Sequence, residues 1–247
     1  MNYSPTRKRK RRSLRIAPVL ITLLLLVILF QGAIHLWQKA GLTQQGSIAE
    51  HIQHFTNNIQ TQFYSEDVNT PWNLALINRW HPLPENYEID LVSVPGGEEV
   101  DARIYDPLME MLDAATAEGL EPIVVSGYRT QEEQQQLYDE KIKDYQNQGY
   151  SKNEAIALAE QWTAAPGASE HQLGLAVDIN GATYDIYLWL QENSYQYGFI
   201  FRYPGNKTDL TGVAEEVWHY RYVGIDAATA IHEQGICLEE YLEQLNV

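Results

Sequence analysis

The chain has 247 residues, 45% apolar and 20% charged, enough for one or two folded units and unlike a disordered, collagenous or disulfide-scaffold protein. Its formal charge is −16, yet seven of its 17 basic residues fall in the first fifteen positions, leaving ten against 33 acidic residues over the rest, a formal −23. A body that acidic, with no basic stripe, will not hold a phosphate backbone by counterion release, so no nucleic acid is expected as a partner, and the single cysteine, Cys237, excludes an internal disulfide and a thiolate-rich zinc site.

Residues 1–15 form a basic segment expected to stay in the cytoplasm. Ile16 to Trp37 is a 22-residue stretch without a strongly charged side chain, long enough to cross ~30 Å of hydrocarbon as a helix. Seven positive charges before it and only Lys39 just after it orient it, placing everything downstream outside the cell. The competing reading, a cleaved signal peptide, lacks a convincing small-x-small site between Gln31 and Gly41, so a single-pass membrane anchor is expected. The pair Arg11-Arg12 hints only weakly at twin-arginine export inside so basic a run. Residues 38–70 are polar and rich in Gln and Asn, which suits a stalk, with Ile48, Ile52, Phe55 and Ile59 at helical spacing within it.

From 71 to 247 the pattern predicts one α+β domain. Tyr87 to Val94 reads as a strand ending in the turn Pro95-Gly96-Gly97. Asp106 as N-cap, Pro107 at the first helical position, the face Leu108/Met111/Leu112/Ala115 and Gly119 as a stop define a helix. Pro122 to Val125 is a short strand. Thr130 with Glu133, and Ser151 with Glu154, are capping-box pairs that start two more helices. Residues 162–174 turn irregular. Leu175 to Ile179 is a strand, and Ile186, Trp189, Leu190, Asn193 and Tyr197 trace a helix. Phe199 to Tyr203 and Val217 to Val223 are strands, Asp226 caps a further helix, and Leu238/Tyr241/Leu242/Leu245 close the chain with another. The fold class expected is α+β, a small antiparallel sheet with flanking helices, preceded by the N-terminal transmembrane helix.

For chemistry, no Ser-x-x-Lys, Gly-x-Ser-x-Gly, His-Glu-x-x-His or phosphate-binding glycine loop occurs. Cys237, between Ile236 and Leu238, reads as a small buried hydrophobe. What remains is the run Ser169 to Asp178 and, about forty residues later, Glu215 to Tyr220. Neutral imidazole and carboxylate are what a catalytic zinc prefers when one position stays open for water. His171 before a strand, Asp178 within it and His219 on a neighbouring strand are able to converge on one ion, and Glu216, three residues before His219, reaches the site if the chain turns there. Spacing alone leaves open the alternative of unrelated structural or surface residues.

The two segments match Ser-x-His-x-x-Gly-x-Ala-x-Asp and Glu-x-Trp-His at every specified position. With Val124-Val125-Ser126-Gly127-Tyr128-Arg129 upstream, the chain from about Trp72 to Gly224 resembles the zinc D-alanyl-D-alanine carboxypeptidases of the VanY type, LAS-type metallopeptidases that trim peptidoglycan. The resemblance implies that His171, Asp178 and His219 bind one Zn²⁺, that Glu216 is general base and acid, and that Arg129 holds the terminal carboxylate of the peptide. It further implies that Gln134, Ser169 and Trp218 line the substrate. An arginine suits the Arg129 role because its planar fork meets a carboxylate in bidentate fashion; the alternative is a structural ion pair with Glu132 or Glu133. The function implied is removal of the C-terminal D-alanine from peptidoglycan stem peptides at the outer membrane face. An L,D-carboxypeptidase, an endopeptidase on the same polymer, or a non-catalytic zinc-stabilised wall-binding module are the alternatives.

Overall fold

The computed structural model describes residues 71–84 and 87–245. The basic segment, the apolar stretch 16–37 and the polar stalk therefore lie outside the described residues. Within the described part the expected α+β class holds, built on two small antiparallel sheets.

Strands β1 (Leu91–Ser93) and β2 (Glu99–Asp101) form a hairpin around Pro95-Gly96-Gly97, both glycines having positive φ (107° and 98°). The expected strand from Tyr87 contracts to three residues because only Leu91 to Ser93 finds a partner. That partner, β2, was hidden in the sequence by two acids in its three residues.

Asp101, not Asp106, supplies the cap at the next junction. Its side chain accepts from the Arg103 backbone N–H (2.8 Å), closing a 3-10 turn over Ala102–Ile104 that runs directly into helix α1 (Tyr105–Ala117). Pro107 then sits inside the first turn, where its missing N–H would have had no intrahelical acceptor. Leu108, Met111, Leu112 and Ala115 are the buried stripe, and Gly119 follows the helix with φ of 84°.

Both capping boxes form. Thr130 and Glu133 open helix α2 (Gln131–Asn147), Ser151 and Glu154 open α3 (Lys152–Ala159), and in each the side chains bond reciprocally to backbone N–H groups.

The central sheet has the order β3 (Ile123–Ser126), β4 (Ala176–Asn180), β6 (His219–Tyr222), β5 (Phe199–Phe201), antiparallel throughout. Alternation along it sorts the side chains. Val177, Ile179, Phe199 and Tyr220 face the main core, which α1 and helix α4 (Asp185–Asn193) complete. Asp178, His219 and Arg221 point to the opposite face. There a second apolar cluster gathers Ile200 and Val223 with helices α6 (Ile225–Gln234) and α7 (Leu238–Leu245). With both faces covered, the first four residues of β4 are buried.

Several boundaries differ from expectation. The helix after Tyr184 ends at Asn193 and continues to Tyr197 as a 3-10 turn. A four-residue helix α5 (Thr208–Thr211) lies between β5 and β6. Asp226 sits in the first turn of α6, and Gly224 occupies the N-cap. Strand β6 begins at His219 because the His219 N–H donates to the Glu216 carbonyl (3.0 Å), which bends Val217 and Trp218 into a turn.

Candidate metal centre and cleft

Sheet register is what assembles the site. Asp178 pairs with Ser126 on β3 and with His219 on β6, so one strand position lies between the Arg129 segment and the second histidine. His171 arrives from a 3-10 turn (Glu170–Leu173) that ends on Gly174 in the left-handed region (φ 67°). A Cβ on Gly174 would lie 2.3 Å from Ile89 Cδ1 and 3.0 Å from the Asp101 nitrogen, so the turn passes against the β1–β2 hairpin only as glycine.

His171, Asp178 and His219 thus converge, with one donor atom from each lying within 4.8 Å of the others. His171 Nε2 is 3.3 Å, and His219 Nδ1 3.1 Å, from the same oxygen, Asp178 Oδ1. The outer nitrogens are engaged elsewhere. His171 Nδ1 meets the Gly127 carbonyl at 2.7 Å, and His219 Nε2 meets Glu170 Oε2 at 3.4 Å. Two imidazoles held from behind, with their inner nitrogens turned on one carboxylate, are the donor set and outer support that a divalent ion of the zinc type requires. The residues present fit such an ion.

Buried together, the three groups set one another's proton affinity. Burial alone would lower the His219 imidazole, but hydrogen bonds to Asp178 and Glu170 outweigh it and push it up to about 9. Burial lowers His171. Burial would raise Asp178, yet the two imidazoles hold it well below the usual carboxylate range.

Glu216 lies beside this cluster, its Oε2 3.9 Å from His219 Nδ1. It is buried while Glu215 is exposed, and burial pushes its carboxyl up to about 7.

Arg129 pairs with neither Glu132 nor Glu133. Its guanidinium donates to Asp178 Oδ2 (3.0 Å), Ser126 Oγ (3.0 Å) and Gln134 Oε1 (3.3 Å). Gln134 is itself buried and fixed by donating to the Ala164 carbonyl at 2.7 Å. Ser169 and Trp218 line the same cleft, of about 350 Å³, which extends past Leu137, Lys141 and Trp162.

Four residues of this neighbourhood went unnoticed in the sequence. Tyr203 lays its ring 4.9 Å from that of His219, and Glu170, Arg202 and Arg221 form a buried ion cluster behind it. The available signal was an arginine in each of two aromatic strands of an acid-rich domain. Nothing in the spacing says that they face one carboxylate.

Residues 97–225 match the family model described as VanY, D-alanyl-D-alanine carboxypeptidase. The chain is 54% identical over 176 residues to a D-alanyl-D-alanine carboxypeptidase of Enterococcus faecalis, a match covering 69% of this chain and 66% of that protein. Two crystal structures of VanY share 54% identity: one, the D,D-pentapeptidase from the VanB-type resistance cassette in complex with Zn(II), has a TM-score of 0.68 and covers 70% of this chain and 99% of that one. The other, in complex with D-alanine-D-alanine, has a TM-score of 0.69 and covers 70% and 98%. The LD-carboxypeptidase LdcB is 38% identical, with a TM-score of 0.60 over 71% of this chain and 88% of that one. The chain belongs to the VanY family of D-alanyl-D-alanine carboxypeptidases.

Proposed function

We propose that the chain is a zinc-dependent D,D-carboxypeptidase that removes the C-terminal D-alanine from peptidoglycan stem peptides. The observation that carries this reading is the convergence of His171, Asp178 and His219 on one point, with the buried carboxyl of Glu216 beside it. His171, Asp178 and His219 would hold one zinc ion. Bound zinc supplies Lewis-acid chemistry, polarising the scissile carbonyl and making water nucleophilic at neutral pH.

Glu216 takes the proton from the attacking water and passes it to the departing amine. Its raised affinity for a proton suits both halves of that task, because a base near pH ~7 both accepts and returns it. Arg129 has five N–H donors, and three are used by Asp178, Ser126 and Gln134, so two remain for the terminal carboxylate of the peptide. Gln134 holds that guanidinium, while Ser169 and Trp218 form the wall against which the terminal residues lie.

An L,D-carboxypeptidase is the second reading, favoured by the 38% identity to LdcB. Purified, zinc-analysed protein incubated with a pentapeptide ending in D-alanyl-D-alanine, a tetrapeptide ending in one D-alanine, and a cross-linked dimer separates the readings by product mass. One zinc per chain and D-alanine release from the pentapeptide are expected. Release from the tetrapeptide instead selects the L,D reading, cleavage of the dimer selects an endopeptidase, and zinc-replete protein that cuts none of the three is a binding module.

The enzyme works outside the cell, tethered to the bilayer by 16–37 with its basic segment inside, and 38–70 is the stalk between membrane and peptidase domain 71–247. The charge bias and apolar length of the sequence support this topology. Protease added to intact cells should remove the peptidase domain and leave a membrane-bound stub. A domain protected until lysis would reverse the orientation.

A further inference from the structure

Behind His219 lies a carboxylate that the reaction described above does not use. Glu170 is 1% exposed, and its Oε2 stands 3.4 Å from His219 Nε2. Its other oxygen accepts from Arg202 Nε (2.8 Å) and Arg221 Nη1 (3.1 Å), two arginines that are themselves 1% and 0% exposed. Both have a second anchorage. Arg202 forks onto Glu239 of α7, Nη1 to Oε2 at 2.9 Å and Nη2 to Oε1 at 2.6 Å. Arg221 Nη2 donates to the carbonyls of Ala75 (2.9 Å) and Asn73 (3.2 Å). The outer ends of the cluster, residues 73–75 and 239, fall outside the stretch 97–225 that matches the family model.

Buried ion clusters of this kind are seldom more stabilising than apolar residues of the same volume, because desolvation offsets the attraction. Stability alone is therefore a weak reason for four charged groups here. A neutral imidazole carries one N–H. Placed on Nε2 it donates to Glu170 and leaves the Nδ1 lone pair free for a cation lying between it and Asp178. The other tautomer would put its proton where that cation binds and turn the Nε2 lone pair on Glu170 with no cation between them.

We infer that Glu170 is a positioning residue that fixes the tautomer and ring orientation of His219 for metal binding, and that Glu239 and the 73–75 carbonyls hold it in place through Arg202 and Arg221. His171 needs no such carboxylate, since the Gly127 carbonyl takes its Nδ1 hydrogen. The inference rests on the zinc reading, and the two fail differently.

Nitrogen-15 histidine NMR of the full-length chain, with and without added zinc, reads the tautomer directly. His219 with a protonated, hydrogen-bonded Nε2 and a metal-shifted Nδ1 is expected. Zinc on Nε2 would overturn the positioning role, and resonances unmoved by zinc would overturn the metal site and this role with it. Chelator competition then measures affinity: folded Glu170→Gln should bind zinc about 10–100-fold more weakly than wild type, and affinity within about twofold would sink the proposal. Should that variant not fold, Glu239→Gln removes the charged anchor of Arg202, loosens Glu170 through it, and should lose zinc affinity. Unchanged affinity there would overturn the link to the terminal helix.

Discussion

Glu216 and Glu215 are neighbours in sequence with opposite surroundings, and burial of the first is the reason to assign it the proton transfers. Glu216→Ala should retain one zinc per chain while turnover falls by about 10²–10⁴-fold, the usual worth of a positioned acid-base group. Retained hydrolysis measured with the same pentapeptide would remove Glu216 from that role. Arg129→Lys keeps the charge but loses the fork. Its kcat/KM should fall about 10–100-fold, matching the ~1.5–3 kcal/mol of a charge-assisted hydrogen bond, with folding unaffected by circular dichroism. Cys237 is 3% exposed, and burial pushes its thiol up to about 11. A thiol raised above its unfolded value favours the folded state below pH ~9 and loses that contribution as pH climbs toward 11. Iodoacetamide at pH 8 should therefore label the native protein very slowly and the urea-unfolded chain readily; fast native labelling would contradict the burial.

At the level of elements, the signals that held were those in which side chains bond to nearby backbone. Both capping boxes are local, four-residue arrangements, so Thr130 and Ser151 were legible without any tertiary information. Each changed to Ala should cost ~0.5–2 kcal/mol in urea denaturation. Asp106 and Asp226 failed as N-caps because the preceding chain, a 3-10 turn in one case and Gly224 in the other, took the position. Gly127 illustrates a constraint no local rule displays. A Cβ there would stand 2.2 Å from the Glu99 carbonyl oxygen, so the bend after β3 must clear the hairpin while its own carbonyl supports His171. Gly127→Ala should lower both melting temperature and zinc affinity. An unchanged affinity would detach this bend from the metal centre.

For the molecule as a whole, the central sheet divides the described domain into an apolar core on one face and the site, with its ion cluster, on the other. A ligand that binds only the folded form stabilises it by mass action, ~4 kcal/mol at a thousandfold excess over Kd. In a domain of this size ~1 kcal/mol moves Tm by ~2–4 °C, so chelation should lower Tm by ~8–16 °C, read by calorimetry. An identical Tm with and without chelator would argue against a metal held by the fold.

From the sequence alone came the α+β class, most helices, the apolar stripe of α1 and the metal-ligand candidates, because these are properties of periodicity, capping chemistry and motif residues close along the chain. Only the tertiary structure decided that Arg129 meets Asp178 and not its neighbours Glu132 or Glu133, that β2 exists, and that Glu170 gathers two buried arginines behind His219. Those are contacts between residues 32 to 51 positions apart, or pairings of strands too short to announce themselves. Their energy depends on which groups the packed chain removes from water together, a quantity that no window along the sequence contains.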